Sequence, residues 1–443
     1  MPAPPPLKSL ALVAAIAAGG ALMGLAGRTV QASDATPQGP RSAIFLHPDG
    51  MGANTWQLVR LQQVGPDGRL AWDRLPDAAV YVGAQTDSVT QSSNGGATTH
   101  AWGVRSQRAS YGMIDRSPIP AAASGASVTL MLEAKVAGKA IGIVNSSSVT
   151  EPGTGAFLAA VPERRDEEAI AAQILASGAD VILGGGEQFF LPAGTRGVHG
   201  PGVRRDGRNL ITEAQAAGYV VVRTAAELEA LPAGTTRVLG LFAAEETFNE
   251  GSEQALARSR QPVFKATAPR FDTMIVRALA ILSRDPDGFF LVGNEEATDN
   301  LAGDNNAAAV LDAGAGADRA IAIALQAAAT NPALTVVVAS DSDCGGAQAN
   351  GSDIAIGQPV PVRGENGAPQ DGNPRVPFLS APDARGVRLP FAVAWAAGGD
   401  MSGGLVARAT GPGGMAVRGT IDSTGIYRAL YLGLFGRDVA QPR

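Results

Sequence analysis

The sequence is poor in the two side chains that most often anchor extracellular and metalloenzyme folds. It has one cysteine, Cys344, in 443 residues. No disulfide can close within the chain, so stability has to come from core packing and from bound ligands. Histidine is nearly as scarce: His47, His100 and His199 are the only three. Little imidazole is therefore available for a metal site or a proton shuttle. Charged residues make up 17% of the chain, and the net charge of −6 comes with no basic block. That excludes a protein built to track nucleic-acid phosphates. No internal repeat is present, and beyond residue 27 no apolar run is long enough to span a bilayer.

Apolar and turn-forming residues are plentiful. Hydrophobic residues reach 45%, with 56 glycines and 29 prolines. This composition suits a folded chain with a large core and many loops. At the N-terminus, Lys8 precedes an apolar run over residues 10–27, and Val30-Gln31-Ala32 follows with small residues at cleavage-like positions. Residues 1–32 read as a signal peptide, with a retained membrane anchor as the alternative. Residues 33–41 form a polar leader. Residues 42–443 are read as one catalytic domain, and the mature protein is expected in the periplasm or outside the cell, off the membrane.

Strand-like and helix-like segments then alternate. Short apolar runs lie at 43–46, 140–144, 180–183, 219–222, 237–243, 288–292, 334–339 and 389–397. Helical spacing covers 164–176, 209–217, 271–284, 307–330 and 426–435. This alternation predicts an α/β fold with a large, mostly parallel central sheet and helices on both faces. The Gly- and Pro-rich stretch over 345–382 is read as a surface loop insertion near the site.

Acidic residues follow several of the predicted strands: Asp49, then Glu295, Glu296 and Asp299, then Asp341 and Asp343, then Asp400. Ligands of open α/β sheets bind beyond the carboxyl ends of the strands. Carboxylates converging there repel one another unless a cation sits between them. Divalent metal binding is the simplest reading. A second feature is the small-residue stretch from Gln91 to Val104, containing Ser93-Asn94-Gly95-Gly96. Such a stretch lets a helix N-terminus approach an anion closely, and a serine there, beside a metal, can attack phosphorus.

The order of these motifs resembles the alkaline phosphatase family. His47-Pro48-Asp49-Gly50-Met51-Gly52 is similar to the family's opening motif, whose Asp bridges metals. Counting back from Gly103-Val104 puts Ser93 at the phosphorylated serine. Ser88, in Thr86-Asp87-Ser88, is the second candidate, since it lies too early for that landmark. Glu151-Pro152-Gly153-Thr154 resembles the third-metal motif, with Glu151 where His or Asp is usual and Thr154 as a hydroxyl donor if the register slips. Arg164 falls at the phosphate-binding arginine, with adjacent Arg165 as the alternative. Asn294 to Asn300 resembles the motif carrying a Mg-ligand Glu (Glu295 or Glu296) and a Zn-ligand Asp (Asp299). Asp341-Ser342-Asp343-Cys344-Gly345-Gly346 resembles the family's Asp-His-Glu-Thr-Gly-Gly, and Gly399-Asp400-Met401-Ser402-Gly403 sits where a late His-Thr-Gly is expected.

The resemblance implies a three-layer αβα fold and phosphate-monoester hydrolysis through a phosphoserine. It also implies about two to three divalent metal ions and a homodimer. The three zinc-binding histidines are replaced: the first by Asp304 or nearby Gly303, the second by Ser342, the third by Asp400. Zn and Mg are what the family implies, while the oxygen-rich donors also suit Mg, Ca or Mn. His47 reads as a structural neighbour of Asp49, His100 as a packed helix residue and His199 as a loop residue. Asp304-Asn305-Asn306 reads equally as a hard-cation site or a helix cap. Phosphodiesterase or other ester hydrolysis, and a catalytically degenerate metal- or phosphate-binding protein, are the alternative functions.

Overall fold

The computed structural model describes residues 39–364, 367–372 and 375–439. The signal peptide and residues 33–38 of the polar leader expected from the sequence lie outside these residues. Ten strands form the central sheet: β1 (Ser42–Pro48), β2 (Asp77–Val82), β3 (Ala140–Ser148), β4 (Val181–Gly185), β5 (Val220–Val222), β6 (Val238–Leu241), β7 (Phe289–Glu295), β8 (Leu334–Val338), β9 (Leu405–Thr410) and β10 (Gly419–Asp422). Their order across the sheet is β10-β2-β9-β8-β1-β7-β3-β4-β6-β5. Strand β9 runs antiparallel to both neighbours, β8 and β2. The other pairings are parallel.

The central strands are apolar throughout because both faces of the sheet are covered. Along β1, Ala43 and Phe45 enter one apolar cluster while Ile44 and Leu46 enter the other. On the first face lie α2 (Ser93–Trp102), α3 (Glu167–Ala176) and α7 (Thr424–Phe435), through Ala97, Ile170 and Leu430. On the second lie α1 (Ala53–Val64), α4 (Phe271–Leu282), α5 (Ala297–Gly303) and α6 (Ala307–Thr330), through Val59, Ile275, Leu301 and Ile321. The result is the expected three-layer αβα sandwich. Among the described residues no helix is long and apolar enough to cross a membrane.

One expected element belongs elsewhere. The run read at 389–397 is a strand over Pro390–Ala394, but it pairs antiparallel with Gln348–Asn350, Gln370–Asp371 and Phe378–Leu379 in a separate four-stranded sheet. The stretch over 345–382 is therefore not simply loop. Asp400 sits in the connection from this small sheet to β9, not at the end of a central strand. Apolar alternation reveals a strand but not its partner.

Candidate metal centre and nucleophile

Three neighbouring strands deliver the cluster. The register pairs Pro48 with Glu295, and Leu46 with both Gly293 and Val338. The chain therefore leaves β1, β7 and β8 side by side, carrying Asp49, Glu296 with Asp299, and Asp341. Backbone bonds knit these exits together. Asp49 N–H donates to Glu295 O at 3.2 Å, and Cys344 N–H donates to Gly50 O at 2.9 Å. Thr298 Oγ1 donates to Asp49 O at 2.6 Å. Gly50 has φ +65°, and a Cβ there would meet Asp299 Oδ1 at 2.5 Å and Cys344 Cβ at 2.7 Å. Glycine at this position is what lets the three segments close up.

Two groups of ligand atoms result. His47, Asp49 and Asp341 each place one within 4.8 Å of the others, and so do Asp299, Cys344 and Asp400. Asp49 and Asp341 are at most 1% exposed. Among the described residues no nitrogen or hydroxyl donor reaches either oxygen of Asp49 or of Asp341, or Oδ1 of Asp299. A buried carboxylate without a donor is costly, and several together are more so. Divalent cations remove both costs, so the residues fit the metal that the motif order implies.

The electrostatics agree. Burial, followed by the charge of Asp341, pushes the Asp49 carboxyl well above the usual range. Burial, then Glu151, does the same to Glu296, and burial, then Asp400, to Asp299. Asp400 is pushed up to about 6 by burial and then by Asp341. His47 moves the other way, lowered chiefly by burial.

The tautomer of His47 follows from its neighbours. Asn294 Nδ2 donates to Glu296 Oε2, so its Oδ1 accepts from His47 Nδ1–H at 2.6 Å. That leaves Nε2 as a bare lone pair, fully buried and without a partner, 3.6 Å from Asp341 Oδ1. A lone pair facing a carboxylate oxygen is stable only with a cation between them.

Ser93 is the first residue of α2. Its neighbour Ser92 does not cap the helix, because Ser92 Oγ donates to Arg108 O at 2.6 Å instead. The amides of the first turn therefore remain available to an anion. Gly96 lets the helix approach the carboxylates, since a Cβ there would meet Asp341 Cβ at 2.6 Å. Ser93 opens into a cleft of about 400 Å³ that is also lined by Arg108, Arg164, Glu296, Asp299 and Asp400. A larger cavity of about 680 Å³ beside the small sheet holds none of the unpaired carboxylates. Arg164 Nη2 pairs with Glu151 Oε2, and this carboxylate is the main cause of its raised pKa. Arg108 Nη2 lies 3.5 Å from Asp400 Oδ2.

Several candidates stand apart from this cleft. Glu295 turns away toward Ser146 and Arg270, and burial pushes it up to about 7. Asp304 follows α5, accepts from Gly251 N at 2.6 Å and lines a separate cleft with Trp395. Asn306 caps α6, accepting from Ala309 N at 3.1 Å. Ser342 Oγ donates to Asp400 Oδ1 at 2.9 Å. Thr154 is tied to Asn145 Nδ2 at 3.0 Å, and Ser88 Oγ accepts from Thr90 N at 3.1 Å. His100 is bonded to Tyr81 Oη at 2.9 Å. His199 Nε2 lies 3.0 Å from Arg223 O, in a loop. Sequence reasoning passed over Arg108, which sits in no motif, and Asn294, whose amide holds His47. It also passed over the ligand geometry of Cys344, because a single cysteine has no spacing to read.

The fold itself defines the class. The structure superposes on the alkaline phosphatase of the Antarctic bacterium TAB5 with a TM-score of 0.68 at 19% identity, covering 90% of this chain and 99% of that one. The Thermus thermophilus alkaline phosphatase gives 0.69 at 23% identity, covering 94% and 96%. This is the alkaline-phosphatase type of α/β fold.

The sequence model described as "Alkaline phosphatase" matches residues 41–368, and the chain belongs to the alkaline phosphatase family. It is 29% identical over 339 residues to an alkaline phosphatase of Gadus morhua, covering 68% of this chain and 69% of that one. It is 30% identical over 350 residues to the streptomycin-6-phosphate phosphatase of Streptomyces griseus, covering 69% and 74%. The chain is thus an enzyme of the phosphoric monoester hydrolase class.

Proposed function

We propose that this is an exported, metal-dependent phosphomonoesterase that works through a phosphoserine on Ser93. One observation carries the reading: Ser93 opens from a helix N-terminus into the cleft that also holds Arg164 and Asp299. His47, Asp49 and Asp341 would hold one cation, and Asp299 with Asp400 a second. Asp49, Glu151 and Glu296 would surround a third. Bound there, divalent cations lower the pKa of the serine hydroxyl and of water and offset charge on the leaving oxygen.

The chain's own groups do the rest. The first-turn amides of α2 and the Arg164 and Arg108 guanidinium groups orient the non-bridging phosphoryl oxygens. Ser93 Oγ gives its proton to solvent and forms a bond to phosphorus as the ester P–O bond breaks, and the alcohol leaves with a proton from solvent. Water then breaks the Oγ–P bond, one of its protons restores the Ser93 hydroxyl, and inorganic phosphate departs. A histidine-to-glutamate variant of the TAB5 enzyme holds Mg in its M3 site, which supports Mg at the Glu151 corner here.

Export rests on the signal-peptide pattern of residues 1–32, and the homodimer on the family resemblance. The experiment is acid-quenched turnover of a phosphate monoester followed by peptide mass analysis. A phosphoryl group on the peptide containing Ser93 supports the reading. Full turnover by Ser93→Ala refutes it.

A further inference from the structure

In half of the site the missing histidines leave a gap, which a sulfur atom fills. Asp304 or Gly303 stands where the family resemblance leads one to expect an imidazole; Asp304 is held by Gly251 N–H in a separate cleft, and Gly303 has no side chain to offer. A Cβ on Gly303 would lie 3.9 Å from Cys344 Sγ, so the thiol borders the place from which a side chain of α5 would reach the site. Cys344 Sγ and one oxygen each of Asp299 and Asp400 lie within 4.8 Å of one another. The backbone fixes this placement. Cys344 N–H is bonded to Gly50 O, and Gly345 N–H to Gly399 O at 3.0 Å, next to Asp400. Asp299 Oδ1 is closed off from solvent and meets no nitrogen or hydroxyl donor among the described residues, and the group hydrogen-bonded to this carboxyl is the Cys344 thiol itself.

A buried cysteine ordinarily packs as a small apolar group, and Cys344, 2% exposed, does border the apolar cluster on its side of the sheet. Its other flank faces two carboxylates, and the thiol is hydrogen-bonded to that of Asp299. An apolar role explains neither. Two carboxylates and a thiol converging on one point is a ligand set.

We propose that Cys344 is a metal ligand, its thiolate joining the Asp299 and Asp400 carboxylates around a borderline-soft divalent cation of the zinc type. The inference rests on the phosphatase reading of the cleft and goes beyond it by naming a sulfur donor. Three protein ligands leave a fourth position for a water or a substrate oxygen. Thiolate selects zinc-like ions over Mg or Ca, so this pocket differs in preference from the all-oxygen corner at Glu151. Binding sends the thiol proton to solvent.

Metal-stripped, full-length protein is titrated with Co²⁺. The expected result is a sulfur-to-cobalt charge-transfer band in the near ultraviolet that is present in wild type and in Ser93→Ala, lost in Cys344→Ser, and competed away by Zn²⁺. X-ray absorption of the zinc-loaded wild type needs no variant to fold. It should show a sulfur neighbour at about 2.3 Å, averaged over the zinc ions bound. Cobalt bound without the band, zinc surrounded only by oxygen and nitrogen, or a protein that takes up neither metal each overturns the proposal. Ester hydrolysis is scored separately. Activity without a sulfur neighbour removes the thiolate and leaves the phosphatase reading standing, while a sulfur neighbour in a protein that hydrolyses no phosphate ester does the opposite.

Discussion

His47 Nε2 lies 3.6 Å from Asp341 Oδ1, with both atoms buried and neither hydrogen-bonded. Asn294 fixes this arrangement by accepting the proton of Nδ1. A neutral imidazole presenting its lone pair to a carboxylate is a metal-binding posture, although the sequence suggested only a structural role for His47. His47→Ala should lower the bound metal by about one ion per chain, and Asn294→Leu should weaken binding at the same pocket by about 10- to 100-fold. Elemental analysis and metal titration of the two variants check this.

Glu295 and Glu296 are adjacent, but only Glu296 lines the cleft with Ser93. Glu296→Gln should cut kcat/KM by about tenfold or more, the scale of losing part of a metal's support. Glu295→Gln should leave kcat/KM essentially unchanged. Steady-state kinetics on a chromogenic phosphate ester distinguishes the two.

Arg164 stands on the Glu151 carboxylate. Removing a charged donor from a phosphoryl group costs about 2 kcal/mol, roughly thirtyfold in kcat/KM. Arg164→Ala should show that loss, and Arg164→Lys should recover only part of it, because an ammonium cannot make the two-pronged contact. Arg165→Ala, a change at an exposed neighbour, should not show the loss.

Removing metal should make stability depend on pH with an unusual sign. In the metal-free protein Asp400 titrates at about 6 against the ordinary 3.8. The folded state therefore binds this proton more tightly than the unfolded chain does. Its contribution is full below about pH 4 and is lost as the pH climbs through about 6, a change of about 3 kcal/mol. Asp49, Glu296 and Asp299 shift in the same direction. Thermal melts of chelated protein should show Tm falling between pH 4 and 7, with the increment restored by added metal growing over the same interval. A chelated protein that melts higher at pH 7 than at pH 5 would contradict this.

The sequence disclosed those parts of the fold whose physics is local. Parallel strands buried on both faces read as continuous apolar runs, so β1, β3, β7 and β8 were visible. Strands β2 and β9 escaped because their burial alternates: Val80 and Val82 of β2 face outward, and Arg408 interrupts β9. Asp49 and Asp341 could be picked out because they follow strongly apolar strands. The choice between Glu295 and Glu296 could not be read, since it depends on the residue at which β7 stops. Cys344 and Arg108 reach the site through long-range packing, which leaves no periodic trace.

Trapping of cations by buried carboxylates beside Ser93 underlies the whole reaction. Its most direct test is the metal content of the purified protein by elemental analysis, measured together with activity before and after exhaustive chelation and on add-back. At least about two divalent ions per chain are expected, fewer in Asp49→Asn and Asp341→Asn, with activity lost on stripping and regained on reloading. A chain that carries no metal and still hydrolyses phosphate esters in the presence of chelator would contradict it.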